Sequence, residues 1–294
     1  MNIKTQLEKG ILVSPKTRQK LINQNNNLLV SEDNQEKYQL IEQNIPILFI
    51  DNYQSSKIIQ EASKLQNDYQ HYTNHKPKID LIRSLLRYRR DFRNPQAKKA
   101  CDNIFAKPKP ESLFLSIGGG PTRAYPQLIN INIGLFPNVD IVADAHSLPY
   151  QENTVDGIHC EAVLEHLYDP QKAVREMHRV LKLGAKVYAC TPFLQPYHGY
   201  PHHYQNFTLT GHQHLFSSNG FKVIEAGTAV GPVHTMLVLV EVMINEYVPL
   251  LIRKPLSLLW RLLCRFLYPL DQLINVKENS YIMASATYIV AEKR

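Results

Sequence analysis

From residue 112 onward, short apolar runs alternate with amphipathic helix-prone stretches, a pattern that predicts an α/β domain built on a parallel sheet with crossovers. Strands are expected at 113–117, 128–133, 139–143, 155–160, 186–191, 221–226 and 282–291. Between Pro170 and Lys182, the residues Ala173, Val174, Met177, Val180 and Leu181 fall on one helical face. Asp169 is placed to cap that helix, Pro170 to open its first turn and Gly184 to follow its end. A second helix is expected over 209–219, with Thr208 or Thr210 as its cap and Gly220 closing it.

Upstream, residues 8–50 read as short extended pieces around turns: Ile11-Leu12-Val13, Leu28-Leu29-Val30 and Tyr38 to Ile50 with Pro46. Residues 55–106 are polar and helix-prone, with apolar positions Ile79, Ile82, Leu85 and Leu86 and a basic cluster at Arg83, Arg87, Arg89, Arg90 and Arg93. Tyr88 and Phe92 interleave with that cluster, but a solvated basic face is the simpler reading and no specific nucleic acid is expected. Lys107-Pro108-Lys109-Pro110 marks a linker. The expected division is a β-rich module at 1–54, a helical connector and linker at 55–110 and the α/β domain at 111–294.

An apolar helical insertion at 228–279 separates the sixth and seventh strands. Glu241, Glu246, Arg253 and Lys254 interrupt it, leaving no uncharged stretch of the roughly 20 residues that a membrane span needs. Over 255–268, Ser257, Arg261 and Arg265 form a narrow polar stripe on a helix otherwise carrying Leu256, Leu259, Trp260, Leu263, Phe266 and Leu267. That is the signature of an interfacial helix; a cap packed on the domain, or on a second subunit in a homodimer, is the competing reading.

Composition narrows the picture only a little. With 294 residues and 44% apolar content, the chain can bury a substantial core. Its formal net charge of +7 modestly favours anionic partners and is also what ordinary solubility requires. Cys101, Cys160, Cys190 and Cys264 lie far apart, at neither metal-ligand nor disulfide-framework spacing. The first residues lack the apolar run of a signal peptide, so a cytoplasmic protein is expected, with a peripheral position on the inner face of the membrane if the interfacial helix binds lipid.

Candidate chemistry gathers at the predicted strand ends. Leu113 to Thr122 is an apolar strand running into Gly118-Gly119-Gly120, where backbone can approach a ligand closely. It is not the dinucleotide fingerprint, because the third glycine of that motif is missing. Val142-Ala143-Asp144-Ala145 puts a carboxylate at another strand end, followed by Leu148-Pro149-Tyr150. Glu161-Ala162-Val163-Leu164-Glu165-His166 then leads into the capped helix, and Arg179-Val180-Leu181-Lys182-Leu183-Gly184 leaves it.

In order and spacing these landmarks resemble the type 11 family of class I S-adenosylmethionine-dependent methyltransferases. Thr191-Pro192-Phe193-Leu194-Gln195-Pro196-Tyr197-His198 and Tyr204-Gln205-Asn206-Phe207-Thr208 resemble a bacterial subgroup of it. The resemblance implies a Rossmann-like seven-stranded sheet with the last strand antiparallel, and S-adenosyl-L-methionine as cofactor. It implies that Gly118, Gly119 and Gly120 line the methionine moiety, that Asn132 stands where an acid usually binds the ribose, and that Asp144 with Ala145 reads adenine. Ser116 and Glu161 complete the expected cofactor set. Ser116 replaces a usual Asp or Glu, Asn132 replaces the ribose carboxylate, and His203 and Asn206 replace an Asp and an Arg. A neutral amide bonds a diol about half as strongly as a carboxylate, so cofactor affinity should fall rather than vanish.

The first 54 residues resemble the Trm112-like zinc-ribbon module that precedes many bacterial methyltransferases, with Ser14, Thr17, Ser31 and Asn34 at its four cysteine positions. Such side chains cannot replace thiolates on zinc, so a metal-free relic held by its apolar residues is expected.

Methyl transfer from a sulfonium needs an aligned nucleophile and, for some acceptors, a base. His198 and His166 are the candidate bases; His166 also fits a hydrogen-bonding role at a helix start. The His198, His202, His203 spacing lacks a carboxylate or thiolate nearby in sequence, and no metal site is expected. The leading expectation is methylation of a small-molecule or lipid-linked acceptor, the alternative a catalytically weakened binding or scaffold module.

Overall fold

The computed structural model describes residues 2–25, 27–41, 44–51, 93–199 and 202–294. The expected helical period at 79–86, with its arginines up to Arg90, lies outside them. One mixed sheet runs through the molecule. Its strands are β1 (Leu21–Asn25), β2 (Leu28–Ser31), β3 (Lys37–Ile41), β4 (Ile45–Leu48), β5 (Phe114–Ile117), β6 (Leu128–Asn132), β7 (Ile141–Ala143), β8 (Val155–Glu161), β9 (Leu181–Pro192), β10 (Phe221–Val230) and β11 (Ala286–Lys293). Their order is β1-β2-β3-β4-β7-β6-β5-β8-β9-β11-β10. From β4 across to β9 every pairing is parallel, and β11 runs antiparallel to both β9 and β10.

The sheet therefore has eleven strands rather than the seven expected. The difference lies in the N-terminal segment, whose antiparallel meander ends in β4, and β4 adds to the parallel edge at β7 through Ile47–Val142 and Leu48–Ala143. Unpaired backbone at β7 is thereby covered, which the open edge of a sheet requires. Arg18 and Ser147 join the two parts further: Arg18 Nη1 donates to the Leu148 carbonyl at 2.7 Å and Ser147 Oγ to the Pro15 carbonyl at 2.7 Å.

Alternation along the central strands fills two layers, because successive side chains point to opposite faces. Leu115, Ile117, Ile158, Val187 and Ala189 meet helices α3 (Pro170–Val180) and α4 (Leu209–Ser217) together with Leu12, Leu29, Tyr38 and Leu48. Phe114, Leu128, Tyr188, Cys190 and Tyr288 meet α2 (Pro95–Phe105) on the other side; a short α1 (Ile3–Glu8) precedes the meander. Helix α3 begins as its sequence dictates, Asp169 accepting the Lys172 amide at 2.9 Å with Pro170 in the first turn. It stops at Val180, two residues short of Lys182, because Leu181 already enters β9 and pairs with Val155; Gly184 lies within that strand at φ +76°. No helix intervenes between β5 and β6.

Between β10 and β11 lie α5 (Pro232–Tyr247), α6 (Leu250–Leu267) and α7 (Leu270–Ile274). Thr228 to Val230, expected within the insertion, continue β10 because they still pair with β11. Helices α5 and α6 form a hairpin whose seam is filled by Val233, Leu237, Cys264 and Tyr268 and bridged by polar contacts. Ser257 Oγ donates to Asn245 Oδ1 at 3.3 Å, Arg261 pairs with Glu241 at 3.3 Å, and Trp260 Nε1 donates to the Leu237 carbonyl at 3.2 Å. The leucines point outward, with Leu251 90%, Phe266 77% and Leu259 64% exposed. Sequence periodicity shows which residues share a face and not which face is covered; here Ser257 is half-buried in the seam, while Arg261, 46% exposed, lies at its edge and Arg265 is exposed. Trp260, grouped by sequence with the apolar face, packs inward. Among the described residues no helix is long and apolar enough to cross a membrane.

Candidate active site

The expected site residues gather where the parallel strands end at their carboxyl termini, the place where open α/β sheets bind ligands. Beyond β5, Gly118 and Gly120 adopt φ of +68° and +60°. A methyl on Gly118 would overlap the Val163 side chain, and one on Gly119 would press on Ser116 Oγ and Asn130 Oδ1. At Gly120 nothing lies within 4 Å of that position, so the turn is packed from below and open above. Ser116 is buried beneath it. Asn130 was not singled out from sequence, yet it braces the turn: its Nδ2 donates to the carbonyls of Gly120 at 3.0 Å and Asn138 at 2.9 Å. Asp140 accepts the Asn130 amide at 2.7 Å and pairs with Arg123 at 2.7 Å. A buried Asn two residues into a strand carries no local signal of that task.

Asn132 ends β6, buried, with its Oδ1 accepting the Gly134 amide at 3.3 Å. Asp144 follows β7, and both of its contacts fall on Oδ1: the His146 amide at 2.9 Å and His146 Nδ1 at 2.6 Å. Burial opposes its ionisation, but the His146 bonds outweigh that and hold its carboxyl below the usual range. Ala145 beside it is buried. The structure thus brings Gly118–Gly120, Asn132 and Asp144 to one end of adjacent strands.

Glu161 ends β8 but is already engaged, 3.1 Å from Arg93 and 3.4 Å from His159. These partners keep its carboxyl low despite its burial.

Past β8 the chain turns through Val163 into a short 3-10 helix, Leu164–His166, and past β9 it runs through Phe193 to His198. His166 and His198, far apart in sequence, meet at a ring-centroid distance of 5.3 Å. Between them stands a residue that the sequence left inside a motif: Glu165, fully buried, with Oε1 3.8 Å from His166 Nε2 and 3.9 Å from His198 Nε2. Its other oxygen accepts from Thr191 Oγ1 at 3.3 Å, and burial pushes the carboxyl up. The expected absence of a metal site rested on the lack of a carboxylate near His198, His202 and His203. The fold supplies one from the β8 loop, and it selects His166 and His198 while His202 and His203 turn to other partners.

In the N-terminal segment, Ser14 Oγ accepts the backbone amides of Lys16 and Thr17 at 3.1 Å each and donates to Glu36. Thr17 also donates to Glu36, at 2.8 Å, and Ser31 donates to Asp33. Two of the four positions read as former ligands thus converge on one carboxylate. The expectation of a segment held by apolar residues alone omits that polar cluster.

Comparison with known proteins bears on the strands that build this site. Residues 126–189 match the type 11 methyltransferase domain model. Over 57 residues the chain is 44% identical to the ubiquinone/menaquinone biosynthesis C-methyltransferase of Klebsiella pneumoniae, a match covering 19% of this chain and 23% of that protein. The chain therefore spans less than a quarter of this curated relative. Among solved structures, the S-adenosyl-L-methionine complex of Haemonchus contortus phosphoethanolamine N-methyltransferase 2 has a TM-score of 0.42 at 16% identity, covering 67% of this chain and 52% of that one. A methyltransferase of Thermotoga maritima has a TM-score of 0.45 at 14% identity, covering 77% of this chain and 98% of that one.

Proposed function

We propose that the protein is a class I methyltransferase that moves a methyl group from S-adenosyl-L-methionine to an acceptor held beyond the ends of β8 and β9. The observation that carries this reading is the meeting, at one end of the sheet, of a glycine turn left open above Gly120 with the Glu165, His166 and His198 cluster. The residues present fit the cofactor. Gly118, Gly119 and Gly120 offer backbone to its methionine part, Asn132 an amide to the ribose, and Asp144 with Ala145 a carboxylate and flat backbone to adenine. Ser116 and Glu161 act one step removed, the first packed under the turn and the second locked to Arg93. The bound cofactor supplies an electrophilic methyl on a positively charged sulfur.

For such a displacement the protein has to align the nucleophile and exclude competing water. His198 and His166 face the acceptor side as the candidate catalytic groups, oriented by the Pro196 and His202 carbonyls with the buried Glu165 carboxyl between them. The outward leucines of α6 favour, in this reading, a lipid-linked or long-chain acceptor met at a membrane surface, with the protein peripheral to it. The N-terminal segment serves in this reading as a structural brace of Trm112-like descent.

Titration calorimetry of the full chain with S-adenosylmethionine tests the reading. Saturable binding is expected, weaker than a ribose-binding carboxylate gives; absence of heat at millimolar cofactor sinks it and favours a binding module without methyl transfer.

A further inference from the structure

Beyond the ends of β8 and β9, two imidazole nitrogens and one carboxyl oxygen converge with no hydrogen bond joining them. His166 Nδ1 stands 2.6 Å from the His202 carbonyl, and His198 Nδ1 stands 3.0 Å from the Pro196 carbonyl. A carbonyl only accepts, so Nδ1 is the donor in each ring and its Nε2, which carries a lone pair in that tautomer, turns inward. Both lone pairs face Glu165 Oε1, a buried carboxylate oxygen that has no hydrogen-bond partner. A buried oxygen of that kind is costly unless a donor or a cation lies beside it.

We propose that Glu165, His166 and His198 form a binding site for a divalent transition-metal ion, with Zn2+ the best match. Two imidazoles and one carboxylate are a ligand set such ions take when a position is left open for water or substrate. The three ligand atoms lie within 4.8 Å of one another. An ion about 2.0–2.1 Å from each draws them to roughly 3.3 Å, so each oxygen–nitrogen pair closes by only a fraction of an ångström. The outer contacts are already made, since each ring is oriented by a backbone carbonyl through its other nitrogen, as metal-binding imidazoles require. His203 is excluded: its Nδ1 accepts the His198 amide at 3.2 Å and its Nε2 is 2.6 Å from Asn206 Oδ1. The open position faces outward, where His198 is 41% and His166 22% exposed.

The ion's role, though not its existence, rests on the methyl-transfer reading. An acceptor hydroxyl bound at the open position loses its proton to water more readily because the ion stabilises the oxyanion. The oxygen lone pair then forms the new O–C bond as the S–C bond breaks, and the sulfonium leaves as a neutral thioether. The two imidazoles are in that case ligands, and the ion lowers the acceptor's pKa.

The test is Zn2+ titration of chelator-treated full chain, with Co2+ absorption as a second readout of the ligand field. One equivalent is expected, with Co2+ bands of a low-coordinate nitrogen–oxygen site. Affinity should fall at least tenfold in His198→Ala, whose residue sits on an exposed loop, and again in Glu165→Gln, with unchanged circular dichroism. No Zn2+ binding, or equal affinity in wild type and His198→Ala, overturns the proposal. S-adenosylmethionine calorimetry on the same samples separates this from failure of the methyl-transfer reading, because cofactor binding does not depend on the ion.

Discussion

Gly118 and Gly120 share a left-handed backbone but not an environment, and substitution separates the two roles. In the left-handed region an alanine costs about 1–2 kcal/mol at either position. At Gly118 the added methyl also collides with Val163, and overpacking of that kind adds about 1–3 kcal/mol. Gly118→Ala should therefore lower the urea midpoint by clearly more than Gly120→Ala, which carries the backbone strain alone. At Gly120 the methyl projects into open space. If that space receives the cofactor, Gly120→Ala loses S-adenosylmethionine affinity out of proportion to its loss of stability, the smaller of the two, which paired denaturation and calorimetry measure. Equal stability losses in the two variants would contradict this division. The glycine turn was legible in the sequence because it follows an apolar strand. Glu165 was not, since its partner His198 comes from the end of a different strand and no spacing rule links adjacent parallel strands.

At the scale of elements, one cluster ties α3 to the turn that follows Asp144. Glu176 Oε2 accepts the Leu148 amide at 2.8 Å and bonds from Arg18 at 3.0 Å and Arg179 at 2.8 Å. Both arginines also donate to the Leu148 carbonyl, at 2.7 and 2.9 Å. Removing the carboxylate leaves two half-buried guanidinium groups without this counter-ion and the Leu148 amide without its acceptor. Breaking a buried pair costs about 3–5 kcal/mol, and the partial exposure of both arginines reduces that to about 2–3. Glu176→Ala should show this loss in chemical denaturation and weaken S-adenosylmethionine binding as the Asp144 loop loosens; a stability change under about 0.5 kcal/mol would mean that apolar packing alone holds the turn. Helix α3 itself was readable, because a capping Asp before Pro and a 3.6-residue period are local signals. The docking of Arg18 on it, and the pairing of β4 with β7, were not: both join segments over ninety residues apart, and pattern within a window carries nothing about such partners.

For the whole molecule, the question is why a chain with a well-filled core displays a leucine-rich face on its α5–α6 hairpin. In water the stable arrangement of an amphipathic helix turns leucines inward and arginines outward. Here Cys264, Tyr268 and Trp260 fill the seam with Val233 and Leu237, and Arg261 meets Glu241 at its exposed edge, while Leu251, Leu259 and Phe266 face out, so the hairpin seam covers only part of the apolar surface of α6. A lipid surface suits that face because Lys254, exposed beside it, can meet anionic headgroups. Burying one such side chain contributes about 1.5–3 kcal/mol, so replacing three by serine removes roughly 5 kcal/mol, over a thousandfold in partitioning. Wild-type protein should float with vesicles containing anionic lipid, and the Leu251→Ser/Leu259→Ser/Phe266→Ser variant should stay in the soluble fraction with an unchanged thermal midpoint. Trp260, which packs into the seam and donates to the Leu237 carbonyl, is unsuited to this test because its replacement loosens the hairpin. Equal flotation of wild type and the triple variant refutes lipid contact. A wild-type dimer in sedimentation that the same variant converts to monomer, without flotation in either, assigns the face to a second subunit.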